Sequence, residues 1–438
     1  MNQATPDTAA VAVKPNQPSI LYASPMSVLD ITSGAALSMR TLLATLAAKG
    51  FRTVALQALL FDSAQGGEQI VKACEEKKDK PVVRSVVNGV EHWLVRAGNF
   101  YRPNMTCQEQ EIYLVRFRSE IKRQRPDMII LWGGLLLEMT VMREAREAGI
   151  PVVFYLVNEG YKDKETFKYA SVIVTDTQAT ADLYKKKLDI DCHPIGKFID
   201  IDKIKAKERK PDFITFINPG FEKGVNVFMA LATMAQRECP EVKFLVVQSR
   251  GRWGTALKKL NYEATNFPNV KVIGHQKDMR PVYGHTRALL LPSTWHESGA
   301  RVIPEAQING IPVLASNTGG SAELVGQGGI MFELSAEVRE KKFERASEAE
   351  ARPWLDAVKR VWHDQAHYQS LCRLAEVSAA QHDISRNVDR FIKAVSPAVR
   401  ASKGMKEPVA APRTSGDVLK QALQKKQAKL KRREGKKK

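Results

Sequence analysis

No apolar run in this chain of 438 residues approaches the ~20 residues that a membrane-spanning helix needs. Cysteine is scarce and odd in number. Cys74, Cys107, Cys192, Cys239 and Cys372 are scattered with no CxxC pair, which argues against disulfides or a zinc ribbon and for reduced thiols in a cytosolic compartment. The stretch MNQATPDTAAVAVKPNQPS has no basic start followed by an apolar core. Residues 1–17 therefore read as a flexible polar leader rather than a secretory signal. Without secretion, the sequon Asn104-Met105-Thr106 is read as accidental. Metal-ligand clusters are lacking too: His363 and His367 share a helix face but find no third partner, so no metal and no cofactor is expected. No repeat is visible beyond a doubling of the α/β pattern.

What remains is an ordinary globular composition, 44% hydrophobic and 26% charged, and a length sufficient for two or more domains. The most informative stretch is Leu289 to Phe332. An apolar run, Ala288 to Leu291, is stopped by Pro292 and reads as a buried parallel strand. A polar loop, Ser293 to Ser298, follows. Helical spacing resumes at Val302, Ile303 and Ala306 and stops at Asn309-Gly310. A second strand, Pro312 to Ser316, leads to Gly319-Gly320 and another helix start at Ser321. This is a βαβ unit, and open parallel sheets bind ligands outside the carboxyl ends of their strands. Glu297 and Glu305 fall in this unit with seven residues between them. On one helix they would stand about 80° apart around the axis. One therefore belongs in the loop and the other inside the helix. Taken alone, both could be solvated surface charges.

The same alternation runs through the chain. Ser19 to Ala23 is a strand, Gly34 opens a helix ending at Lys49-Gly50, and Thr53 to Leu60 is the next strand. A glycine there lets backbone N–H groups approach a phosphate or sugar; a plain helix start is the alternative. Strands are expected at 127–131, 151–156 and 171–175, with helices near 136–147 and 180–187. After the basic linker Lys203 to Lys210, strands follow at 213–218, 243–248 and 270–274. Lys223-Gly224 introduces a helix through Met234. Residues 349–395 are helical.

Glu297, Glu305, Gly310-Ile311-Pro312-Val313, Gly319-Gly320 and Glu323 stand in an order and spacing that resemble the family 4 glycosyltransferases. The resemblance implies an α/β GT-B fold: two Rossmann-like domains facing across a cleft, with C-terminal helices returning toward the first. The corresponding divisions are 18–200 for an acceptor-side domain, 201–348 for a nucleotide-sugar-binding domain, 349–395 for closing helices and 396–438 for a basic linker and tail. It further implies transfer of a sugar from a nucleotide-sugar donor to a hydroxyl acceptor with retention of configuration and no bound metal. The acceptor class would be a cell-surface glycan or a lipid- or protein-linked intermediate. By the same resemblance Glu297 orients the sugar's hydroxyls, Lys223 neutralises the diphosphate, Glu305 holds the ribose, and His275 marks the base. Gly34, Gly224, Gly319 and Gly320 belong to the donor-facing loops.

Four departures stand out. Asn218 occupies the place of the family's Arg, so the missing cation falls to Arg250, Arg252 or Arg301, whose forked guanidinium suits a phosphate. Gly34 is followed by Ala35 rather than a second glycine, and Gly299-Ala300 replaces an aromatic-Gly pair. Asn158-Glu159 also lacks the His or Asp often found there. These departures keep open a non-catalytic, basic-tailed binding protein of the same descent, and the fold equally serves phosphorylases and synthases.

Basic residues outnumber acidic ones, 67 to 48, a net of +19. Residues 397–438 carry fourteen Lys or Arg against three Asp or Glu, a net of +11 (14 − 3). Leu419, Leu423 and Leu430 give this segment a weak apolar stripe. A solvated tail and adsorption to an anionic membrane face are the two readings. With no aromatics interleaved, nucleic acid is not the expected partner.

Overall fold

The structure is a computed structural model and describes residues 17–75 and 80–403. Two open sheets form its two domains. The first domain's strands are β1 (Ser19–Ala23), β2 (Arg52–Ala58), β3 (Val82–Val87), β4 (Val90–Val95), β5 (Met128–Leu131), β6 (Val152–Leu156), β7 (Val172–Thr175) and β8 (His193–Pro194). They lie in the order β3-β4-β2-β1-β5-β6-β7-β8, parallel except for β3 against β4. The second domain holds β9 (Phe213–Ile217), β10 (Phe244–Val247), β11 (Val270–Ile273), β12 (Thr286–Leu291), β13 (Val313–Ser316) and β14 (Gly329–Phe332). Their order is β11-β10-β9-β12-β13-β14, which is 3-2-1-4-5-6 counted within the domain. That order places a topological switch point between β9 and β12, the position where such sheets open a ligand crevice. The parallel core of the first sheet repeats it, with the switch between β1 and β5.

Helices cover both faces, so the central strands are buried throughout and read as continuous apolar runs. Every residue of β1, β5, β6 and β13 is buried. The β3–β4 hairpin lies outside the strands expected from the sequence. Its turn is Asn88-Gly89, both with positive φ (51° and 75°), the two-residue combination that matches strand twist. The following helix, Cys107–Gln124, is fixed by a capping box between Thr106 and Glu109, which satisfies backbone donors otherwise left open.

Three terminal helices divide between the domains. Glu348–His363 and Gln365–Ala379 pack on the second: Trp354 stacks on Phe332 with ring centroids 4.1 Å apart. Ile384–Lys403 crosses to the first, where Val388, Phe391 and Val395 join the core containing Ile20, Tyr22 and Met39. The sequence places a linker from residue 396, but the helix continues through Pro397 to Lys403. An interior proline costs ~3 kcal/mol; here Ala394, Ala398 and Val399 keep packing on that core, and Lys403 Nζ reaches Asp127 Oδ1 at 2.6 Å. The basic segment with Leu419, Leu423 and Leu430 lies outside the described residues, as do residues 1–16. Among the described residues no helix is long and apolar enough to cross a membrane.

Two buried histidines make stability pH-dependent. Gln57 Oε1 accepts from Val28 N at 2.8 Å, so its amide nitrogen faces His92 Nδ1 at 2.7 Å and that ring nitrogen must be unprotonated. Burial pushes His92 down to about 3 and His382 down to about 4, from an ordinary 6.5. The unfolded chain takes up protons that the fold refuses, so stability falls as pH drops from 6.5 toward those values. Urea unfolding should lose on the order of 3 kcal/mol through His382 alone by pH 4. The substitution His382→Gln should flatten the profile, and an unchanged profile would contradict this.

Candidate active site

The crevice between β9 and β12 is built by close backbone contact. Gly224 has φ 77°, and a Cβ there would come within 1.7 Å of the Pro292 carbonyl oxygen. Only glycine therefore allows the turn after β9 to lie against the end of β12. Thr294 N bonds to Glu222 O at 3.0 Å, locking the two loops together. Lys223 Nζ then reaches Glu297 Oε1 at 2.6 Å, and Ser293 Oγ donates to the same oxygen at 2.6 Å. Glu297 is buried at 4% exposure, where a lone carboxylate would be strongly penalised. Its Oε2 has no partner among the described residues and is open to a ligand hydroxyl.

Gly319 and Gly320 support this loop from behind. A Cβ on Gly319 would meet Glu297 O at 2.5 Å, and Gly320 N donates to Glu297 O at 2.7 Å. Neither lines a cavity described below. A Cβ on Gly320 would meet Thr177 Oγ1 of the first domain at 2.5 Å, and Thr177 Oγ1 donates to Ser298 O at 2.8 Å. Gly299 lies against Asp176, which leaves 2.6 Å for a Cβ. That proximity explains why no aromatic precedes Ala300 in this chain. Asp176 is itself fully buried between Tyr155 and Lys197. The sequence offers no sign of this triad because its members lie on separate elements.

Glu305 stands inside the Val302–Ile308 helix, beyond Glu297. Tyr283 OH donates to its Oε2 at 2.6 Å, and Arg301 Nε to its Oε1 at 2.5 Å. The same arginine reaches Phe198 O at 2.8 Å and Ser38 Oγ at 3.3 Å. Arg301 is thus an interdomain strut and not a free cation. Arg250 and Arg252 are engaged as well, with Asp62 Oδ2 at 3.2 Å and Gln65 Oε1 at 2.8 Å. Asn218 has φ 64°, and its Oδ1 accepts from Gly251 N at 2.6 Å. Its carboxamide therefore fastens the loop that carries Arg250. Gly34 opens the Gly34–Ala48 helix behind the N-cap Ser33; a Cβ there would meet only Arg301 Cβ, at 3.9 Å. Sterically, nothing around it demands glycine at 34. His275 sits past β11 with Nε2 buried and without a partner among the described residues, and burial lowers its pKa from the ordinary value.

Two adjoining cavities meet at these residues. One of about 800 Å³ is lined by Gly34, Arg40, Asn218, Lys223, His275, Tyr283, Arg301 and Glu305. The other, about 340 Å³, lies on the first-domain side of Glu297 and is lined by Asp30, Trp132, Asn158, Tyr161 and Lys197. Lys223, Gly34, Arg250 and Arg301 border both.

Comparison with known proteins agrees with this geometry. Residues 197–350 match the family described as glycosyl transferases group 1. Among solved structures, sucrose-phosphate synthase from Thermosynechococcus elongatus superposes with a TM-score of 0.63 at 15% identity, covering 88% of this chain and 100% of that one. A glycosyltransferase from Rickettsia africae gives 0.62 at 13% identity, covering 88% and 99%. Anabaena HepE in complex with UDP-glucose gives 0.62 at 16%, covering 86% and 99%. No curated protein sequence matches. The chain has the GT-B fold, and its residues 197–350 match the glycosyl transferases group 1 family.

Proposed function

We propose that the protein transfers a hexosyl group from a nucleotide-sugar to a hydroxyl acceptor with retention of configuration. The observation that carries this reading is the Lys223–Glu297 pair at the switch point, with one carboxylate oxygen left open. The larger cavity would take the nucleotide, its base toward His275 and its ribose toward Glu305. The smaller would take the acceptor beside Glu297. Structures of HepE with UDP-glucose and with UDP support a nucleotide-sugar as donor.

Chemically, the bond from the anomeric carbon to the diphosphate oxygen breaks while the acceptor oxygen bonds that carbon from the same face. The acceptor's proton passes to the departing phosphate oxygen. Negative charge then gathers on the diphosphate and positive charge on the sugar ring. Lys223, held in place by Glu297, would meet the first charge with little reorganisation. The open oxygen of Glu297 accepts from sugar hydroxyls and fixes the ring. The counter-charge in this reading comes from side chains rather than a metal.

The acceptor we propose is a lipid- or protein-linked glycan intermediate. The net charge of +11 at residues 397–438 would bring the enzyme to an anionic membrane face, where such acceptors are assembled. Deleting 416–438 should abolish pelleting with anionic vesicles while leaving transfer to a soluble acceptor intact. Full-length protein that ignores such vesicles at low salt would refute the membrane assignment.

Turnover of a nucleotide-sugar panel, read as released nucleoside diphosphate, tests the activity; no release with any donor would refute it. Glu297→Ala should slow turnover with donor affinity largely kept. Glu305→Ala should instead weaken donor binding. Each loss should be about ten- to a hundredfold, the scale of a hydrogen bond to a charged group. Wild-type behaviour of both variants would overturn the residue assignment.

A further inference from the structure

Arg40 projects from the Gly34–Ala48 helix into the larger cavity. It is partly buried and makes no hydrogen bond or ion pair among the described residues. The cavity's other arginines are engaged, Arg301 with Glu305, Phe198 and Ser38, and Arg250 with Asp62. Asp30 is the neighbouring carboxylate, but it makes no hydrogen bond or ion pair with Arg40. Its Oδ1 accepts from both Thr32 N and Thr32 Oγ1, and its Oδ2 accepts from Asp62 N. Burial, with Arg301 as a neighbouring like charge, holds the Arg40 pKa down to about 10. A half-buried guanidinium without a hydrogen-bond partner stands in a cavity already bordered by Lys223 and Arg301. An anion bound there would offset three neighbouring positive charges.

We propose that Arg40 is the second cation of the diphosphate site, supplied by the first domain in place of the family arginine that Asn218 replaces. This rests on the donor assignment given above. The guanidinium fork suits two phosphate oxygens at once. With Lys223 on one domain and Arg40 on the other, the diphosphate bridges the cleft. Arg40 was not legible in the sequence, because a lone Arg on a helix reads as a solvated charge.

The test is calorimetry of UDP, GDP and ADP, and of the parent nucleosides, against wild type, Arg40→Ala and Arg40→Lys. Arg40→Ala should weaken the bound diphosphate by about ten- to a hundredfold, Arg40→Lys less, with nucleoside affinity unchanged within about twofold. Melting adds a readout that a structural role would not give. Arg40→Met without ligand should melt no lower than wild type, while the stabilisation by nucleoside diphosphate shrinks. If wild type binds a diphosphate and Arg40→Ala binds it equally, the inference fails and the donor assignment stands. A parallel loss of nucleoside affinity and unliganded stability would make Arg40 structural and also overturn it. If wild type binds none of the three diphosphates, the donor assignment fails and the inference with it.

Discussion

Burial of Glu297 is the constraint on which the rest of the site depends. A carboxylate removed from water costs several kcal/mol unless a cation and hydrogen-bond donors meet it. Both partners come from defined places: Ser293 from its own loop, and Lys223 from the turn after β9. Seventy-odd residues separate Lys223 and Glu297 in sequence, yet β9 and β12 are neighbours because the sheet reverses its order there. Gly224 removes the Cβ that would keep these two loops apart, and Gly319 the one that would push the Glu297 loop off the loop behind it. The sheet topology and the two glycines therefore set where the charge pair forms.

The first domain completes the construction. Thr177 holds the Ser298 carbonyl, Asp176 fills the space beside Gly299, and Arg301 ties its own domain to Phe198 and Ser38. The Glu297 loop is thus clamped from both sides of the cleft. Residues that touch across the domains fix the loop's position, while those facing the cavities are left to meet ligands. Arg250 does both, reaching Asp62 while bordering the two cavities, and Arg252 reaches Gln65. These contacts also make domain closure and site geometry parts of one arrangement, because moving the first domain would release Ser298 and Arg301 together.

Much of this was legible in the chain. Parallel strands buried on both faces leave apolar runs, so β1, β5, β6, β9, β10, β12 and β13 could be placed within a residue or two. Lys223-Gly224 and the Glu297–Glu305 spacing could be read because each is local. The roles of Arg250, Arg252 and Arg301 could not, since a long side chain's partner is a matter of tertiary distance: Arg301 and Ser38 are 263 positions apart. The β3–β4 hairpin was missed despite its Asn88-Gly89 turn, because polar residues interrupt its strands. The helix through Pro397 was missed because proline ordinarily ends a helix, and only packing against Tyr22 and Phe391's core outweighs that tendency.

A crystal structure with a bound nucleoside diphosphate would test the account most directly. The diphosphate should lie within hydrogen-bonding distance of Lys223 Nζ, at the carboxyl ends of β9 and β12, with the Glu297 carboxylate facing the space where the sugar would stand. A diphosphate bound away from Lys223, or a Glu297 turned from that space, would contradict it.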